Sequence, residues 1–212
     1  NLAQSLTQVQ GTVRVRAPMN LAKGVLQPVW SAFLARHPGV QLDLRLSNLR
    51  EDLLEHGADL AIRVGPLTDS SLVGRRLGLA AMGLMAAPSY LAQSGPIESP
   101  QDLANQHWVV ADPLRQLRLT HSETGERYTQ SLYGQSLRGM VNDVALAAHM
   151  ASQGLGLLYA PLWACLERLK SGELVQLLPQ WQADAHDIAL VWPQQRHLPA
   201  RVRALIDQLL EF

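Results

Sequence analysis

Residues 11–64 switch between two hydrophobic periods. Val13, Val15 and Ala17 occupy alternate positions against Thr12, Arg14 and Arg16, the pattern of a half-buried strand. After a turn at Pro18, Met19 and Asn20, Leu21, Val25, Val29 and Phe33 recur every four residues, with Leu26, Trp30 and Leu34 beside them. That spacing predicts one helix over 21–36, capped by Asn20 and stopped by His37-Pro38-Gly39. Val40, Leu42, Leu44 and Leu46 predict a second strand. A short helix over 49–56 is expected to end at Gly57, and Leu60, Ile62 and Val64 predict a third strand. Strand–helix–strand–helix–strand in this order implies right-handed parallel crossovers, with helices covering an α/β sheet.

The pattern changes over 59–88. A turn over 65–71 leads into a strand over 72–79, re-entering the first sheet antiparallel or at its edge. Residues 79–87 are nearly all small or apolar and carry no charge, so they must be buried. This run is expected to carry the chain out of one lobe into another, and a strand over 188–192 to carry it back. Between them the pattern predicts a helix after Pro88, another opened by Ser99-Pro100, and a strand over 108–111. A hairpin should turn at 123–125, and a strand should cover 137–141. Asn142 is read as the cap of a helix over 143–153, with a strand following over 155–159. A helix from Pro161 to Gly172 and a short strand over 174–177 complete this part. Val202, Leu205, Ile206, Leu209 and Leu210 form the stripe of a last helix, which belongs with the first lobe if the return strand does. Residues 1–10 read as the tail of a helix, with Leu2, Leu6 and Val9 at helical spacing.

With 212 residues there is room for one large domain or two small lobes. The formal net charge is zero, from 18 basic and 18 acidic residues, and this argues against a free-standing nucleic-acid-binding domain. The one cysteine, Cys165, excludes an internal disulfide and fits a reducing, cytoplasmic setting; it reads as a buried, inert thiol. No run reaches membrane-spanning length and no signal-peptide pattern opens the chain.

No catalytic motif emerges. G-x-S-x-G is absent, and neither Lys23 nor Lys170 follows a phosphate loop. His121, Ser122 and Glu123 are consecutive, so their side chains diverge rather than form a triad. The seven histidines show no metal-ligand spacing; no metal and no cofactor is expected. What remains is a binding site at the carboxyl ends of the strands. There the chain offers Pro18, Met19, Asn20 and Leu21 at a helix start, Ser47 and Asn48 after the second strand, and Arg63 near the end of the third. Ala111, Asp112 and Asn142 face the same gap from the second lobe. Backbone donors plus one arginine suit a small anion such as a carboxylate. The plainer readings make Asn20 and Asn142 simple caps, Ser47 and Asn48 a helix start, and Arg63 a structural partner of Asp59 or Asp43.

The stretches GTVRVRAP, FLARHPGVQLDLRLSN, DLLEHGADLAIRVGPLTDSSLVGRRLG, AAPSYLAQSG, VNDVALAAHMASQGLGLLYAP and RHLPARVRALIDQLLEF closely resemble the effector-binding domain of LysR-type transcriptional regulators, in order and over nearly the whole chain. The resemblance implies an α/β fold of the periplasmic-binding-protein-like type 2: two Rossmann-like lobes joined by two crossover strands. Lobe I would comprise 11–82 and 188–212, and lobe II 83–187. Residues 1–10 would be the C-terminal end of a linker helix, and the winged helix-turn-helix DNA-binding domain would be absent from this chain. The resemblance also implies a small-molecule effector in the cleft, aromatic or carboxylated. Its contacts would be Asn20 and its neighbours, Ser47, Arg63 and the loops at Ala111 and Asn142; family members often have Ser or Thr where this chain has Met19-Asn20. A homodimer is implied (a tetramer at full length), pairing helix 21–36 with helix 143–153 through Val29, Trp30, Phe33, Ala147 and Met150. DNA would be bound only through the missing domain. A solute-binding protein for transport is the alternative on the same fold.

Overall fold

The computed structural model describes residues 9–47, 57–65, 72–112, 114–134, 136–195 and 197–212. The expected helix over 49–56, Asn48, most of the 65–71 turn and residues 1–8 of the expected linker tail lie outside the described residues. The chain divides into two compact units: Asn1–Leu79 with His186–Phe212, and Ala80–Ala185.

The first unit is built on strands β1 (Gly11–Ala17), β2 (Val40–Leu46), β3 (Leu60–Val64) and β4 (Leu72–Ala80), joined late in the chain by β13 (His186–Pro193). They lie in the order β2-β1-β3-β13-β4. β1 pairs in parallel with both β2 and β3, as the crossover pattern requires, and β13 runs antiparallel to β3. Val13, Val15 and Ala17 are buried, while Thr12, Arg14 and Arg16 occupy the other face. Helix α6 (Ala200–Glu211) buries Val202, Leu205, Ile206 and Leu209 of the expected stripe and leaves Leu210 half-buried.

The helix expected over 21–36 is two helices, α1 (Met19–Lys23) and α2 (Gln27–Arg36). Pro28 is the cause. A proline inside a continuous helix would leave the Gly24 carbonyl without its donor and press its ring against it. Instead the Leu26 N–H reaches back to the Leu21 carbonyl at 3.1 Å and the Gln27 N–H to Gly24 at 3.2 Å. A new helix then starts with Pro28 in its first turn, where the missing N–H costs nothing. The Trp30 indole N–H donates to the Ala22 carbonyl at 2.9 Å and ties the two pieces together.

The second unit holds β5 (Met82–Ala86), β6 (Trp108–Ala111), β9 (Leu137–Val141), β10 (Leu157–Pro161) and β11 (Val175–Gln176) in a sheet ordered β11-β5-β10-β6-β9. Alternate residues of its central strands fill two separate cores. Leu84, Trp108, Val110, Leu157 and Tyr159 face one, and Met85, Val109, Ala111, Leu158 and Ala160 face the other. Burial on both faces explains the continuous apolar runs in these strands. The run 79–87 is split by Ala81: β4 ends at Ala80, and β5 is buried throughout.

Helices α3 (Pro88–Ser94), α4 (Val144–Ser152) and α5 (Leu166–Ser171) complete this unit, with 3-10 turns at Pro100–Asn105 and Leu162–Cys165. In the first of these turns the Asp102 carboxylate accepts the Ser99 and Glu98 N–H groups and the Ser99 hydroxyl. The Ser99 amide first, then Glu98, hold its carboxyl below the ordinary value. A second sheet, ordered β12-β7-β8, contains the expected hairpin, β7 (Gln116–His121) and β8 (Arg127–Ser131), plus the unexpected β12 (Trp181–Ala183). The strand expected over 155–159 starts two residues later, at Leu157, whose N–H donates to the His107 carbonyl at 2.8 Å.

Asn142 does not cap α4. The cap is Asp143, whose carboxylate accepts the Leu146 N–H at 2.8 Å. An N-cap acceptor is worth about 1 kcal/mol. Asp143→Ala should therefore lower stability by about that amount in chemical denaturation. Nor does Asn20 cap α1: the flanking residue is Pro18, and Asn20 lies within the first turn.

Candidate functional site

In the first unit the carboxyl ends of three adjacent parallel strands come level. Ala17 is in register with Leu46, so Pro18 and Ser47 follow at the same height. Arg16 is in register with Ala61, which brings Arg63 to the height of Pro18 on the next strand. Neighbouring strands lie about 4.8 Å apart, so these positions line one short edge. At its centre α1 begins: its first intrahelical bond is Ala22 N–H to the Pro18 carbonyl, so the amides of Met19, Asn20 and Leu21 precede the ladder.

The predicted residues contribute unequally. Pro18, Met19, Asn20, Ser47 and Arg63 are half-buried, as suits groups that line a site. The Leu21 side chain is buried in its own core, leaving its backbone as the part that reaches the edge. The Ser47 N–H donates to the Ala17 carbonyl at 3.1 Å. Nearby, Asp59 accepts the Arg14 N–H at 2.8 Å, and Asp43 pairs with Arg45 at 2.7 Å.

The second unit has its own strand-end cluster. Ala111 is in register with Val141, and the Asp112 N–H donates to the Val141 carbonyl at 2.8 Å. This sets Asp112 level with Asn142, immediately before α4. Ala111 is buried in the core and contributes no side-chain surface, whereas Asn142 is exposed. Sequence reasoning missed two neighbours. The Tyr133 hydroxyl donates to Asp112 Oδ1 at 2.9 Å, and the Arg115 guanidinium lies 5.5 Å from the Tyr133 ring centre. Burial, then the hydrogen bond to Asp112, holds the Tyr133 phenol above its ordinary value, so it remains a donor at neutral pH. Both residues come from loop positions without periodicity, so hydrophobic pattern gave no signal for them.

Val29, Trp30, Phe33 and Ala147 are buried within their own units, and Met150 packs against the core beneath α4. What remains exposed nearby is Val25 and Leu34 around α1 and α2, and Leu146 on α4. The apolar surplus on these helices is thus partly an inward face.

His121 Nδ1 accepts the N–H groups of Glu123 and Thr124, so it organises the hairpin turn. Cys165 is fully buried, and burial pushes its thiol up to about 11, with Arg168 pulling the other way. Among the described residues no group of three His, Cys, Asp or Glu side chains is placed to hold a metal, and no helix is long and apolar enough to cross a membrane.

Comparison with known proteins follows the same fold. The family model described as LysR substrate binding domain matches residues 7–212. The chain is 35% identical over 204 residues to an HTH-type transcriptional repressor of Pseudomonas aeruginosa, covering 95% of this chain and 63% of that protein. It is 32% identical over 204 residues to the HTH-type transcriptional activator AaeR of Escherichia coli, covering 95% and 65%. Thus it spans less than two thirds of the length of either relative. Among solved structures it matches the full-length virulence activator AphB of Vibrio cholerae with a TM-score of 0.87 at 29% identity, covering 100% of this chain and 71% of that one. The CrgA regulatory domain of Neisseria meningitidis matches with a TM-score of 0.76 at 25% identity, covering 95% and 98%.

Proposed function

This chain belongs to the LysR substrate binding domain family, and from that premise we propose that it is the ligand-sensing part of a cytoplasmic bacterial transcription factor. A small effector, anionic or aromatic, is held at the strand ends that carry Pro18, Ser47 and Arg63. Its binding shifts the balance between conformations of a homodimer, and the shift passes to a DNA-binding segment outside this chain. The observation that carries the reading is the level placement of Pro18, Ser47 and Arg63 on three adjacent strands, with the first amides of α1 between them. Backbone donors and a guanidinium converging on one edge match a carboxylate. The relatives are named as transcriptional regulators, which favours this reading over the solute-carrying alternative.

A thermal-shift panel of small carboxylates and aromatic acids tests the proposal. A ligand present at a hundred times its Kd should stabilise the chain by about 2.7 kcal/mol. Arg63→Ala should weaken binding of that ligand about tenfold or more, the loss of one charge-assisted contact. If no member of the panel raises the melting temperature, or Arg63→Ala leaves the response unchanged, the effector does not bind in this way.

A further inference from the structure

Strand β4 (Leu72–Ala80) closes one end of the first unit's sheet. β13 pairs with one side of it, and among the described residues no strand pairs with the other. An outer edge of this kind offers N–H and C=O groups at strand spacing, a template for another extended chain. Leu72 packs against Ala58, Ala61, Ala189 and Val191, so positions 72, 74, 76 and 78 belong to that face of the sheet. Val73, Arg75, Leu77 and Leu79 form the opposite row. Val73 is 37% and Leu79 54% exposed, and Leu77 is half-buried between them. Arg75 is exposed in the middle of this apolar row and has no ion-pair or hydrogen-bond partner among the described residues. Arg76, on the other face, pairs with Asp187 of β13 at 3.0 Å.

We propose that the outer edge of β4 binds an extended acidic segment of a partner protein, which joins the sheet as an antiparallel strand. Main-chain bonds to the edge supply the affinity, and alternate side chains supply the selectivity. A carboxylate opposite Arg75, flanked two positions away by apolar residues opposite Val73 and Leu77, complements the exposed row. A second copy of this chain is a poor match. Full antiparallel overlap of β4 with its copy sets Arg76 against Arg76, and a two-residue shift toward its N-terminal end sets Arg75 against Arg75. Like charges directly opposite each other on paired strands repel. The arginines thus turn the edge from self-pairing toward an acidic partner.

The test is an NMR titration of the 212-residue chain with the capped peptide Val-Thr-Val-Thr-Asp-Thr-Val, and with the same peptide carrying lysine in place of aspartate. With the acidic peptide, amides of residues 73–79 should shift along saturable curves, and their hydrogen exchange should slow as a strand is added. The lysine peptide should bind about tenfold more weakly. Arg75→Glu should reverse that preference, weakening the acidic peptide about tenfold, the scale of exchanging an attractive cross-strand pair for a repulsive one. Because Arg75 is exposed, its variant should keep the remaining spectrum unchanged, which establishes that it is folded. Val73→Asp should weaken the acidic peptide as well, through lost apolar contact and added repulsion. No saturable shift over 73–79, or shifts without slowed exchange, would overturn the proposal. So would equal binding of the two peptides, affinity unchanged in Arg75→Glu, or β4 shifts that follow protein concentration without peptide, which would make a second copy the occupant.

Discussion

Gly156→Ala should destabilise the chain by about 3 kcal/mol or more, the upper range for forced overpacking. A Cβ on Gly156 would lie 2.7 Å from the His107 carbonyl oxygen, 2.9 Å from its carbon and 3.0 Å from the Trp108 nitrogen. All three are backbone atoms at the start of β6, which β10 and β9 clamp from either side. A side chain could rotate away, but this backbone cannot retreat without breaking the Leu157 N–H to His107 carbonyl bond and shifting the strand register. Urea denaturation gives the measurement, with Gly78→Ala as control because nothing lies within 4 Å of its added Cβ. A loss under about 1 kcal/mol for Gly156→Ala would mean that β6 and β10 are not held this closely. Gly83 makes a useful contrast: its added Cβ would collide with Leu162 Cδ2, the end of a flexible side chain that can move.

Phe33→Ala should cost about 3–5 kcal/mol, the range for deleting a fully buried aromatic ring. Phe33 is 0% exposed within its own unit, and its ring centre lies 4.9 Å from that of His37. The loss should be the same at low and high protein concentration, because the residue stabilises the folded chain itself. If stability of the dilute protein were unchanged while self-association weakened, Phe33 would be a contact residue between copies after all. Leu34→Ser, next to it but exposed, should show the reverse pattern if copies pair through this helix: little loss of stability and weaker association.

The contrast between Phe33 and Leu34 shows where hydrophobic pattern stops being informative. Periodicity placed β1, β2 and β3 because Val13-Val15-Ala17 and Val40-Leu42-Leu44-Leu46 alternate with polar residues and Leu60-Ile62-Val64 keeps the same spacing. It merged α1 with α2 because Pro28 sits inside an unbroken four-residue apolar spacing, and the pattern weighs side chains rather than missing N–H groups. It assigned the cap of α4 to Asn142 when the next residue, Asp143, is as good a capping residue and has the reach to Leu146. β12 was missed because a three-residue strand is too short to show a period, and its partner β7 is some sixty positions earlier in the chain. Trp30 and the apolar turns of α4 looked like surplus surface because composition cannot say how many faces a helix buries.

The candidate site was legible in the same uneven way. Strand ends follow from strand pattern, so Pro18 to Leu21, Ser47 and Arg63 could be located from sequence, and the parallel register brings them level. Tyr133 and Arg115 meet Asp112 only through tertiary packing.

Effector binding at the strand ends of the first unit is tested most directly by amide-resolved NMR titration with a ligand found in the thermal-shift panel. The expected result is that amides of Asn20, Leu21 and Ser47 shift together along curves with a single Kd, and that Arg63→Ala weakens all of them equally. Amides here that do not move on saturation, or curves unchanged in Arg63→Ala, would contradict it.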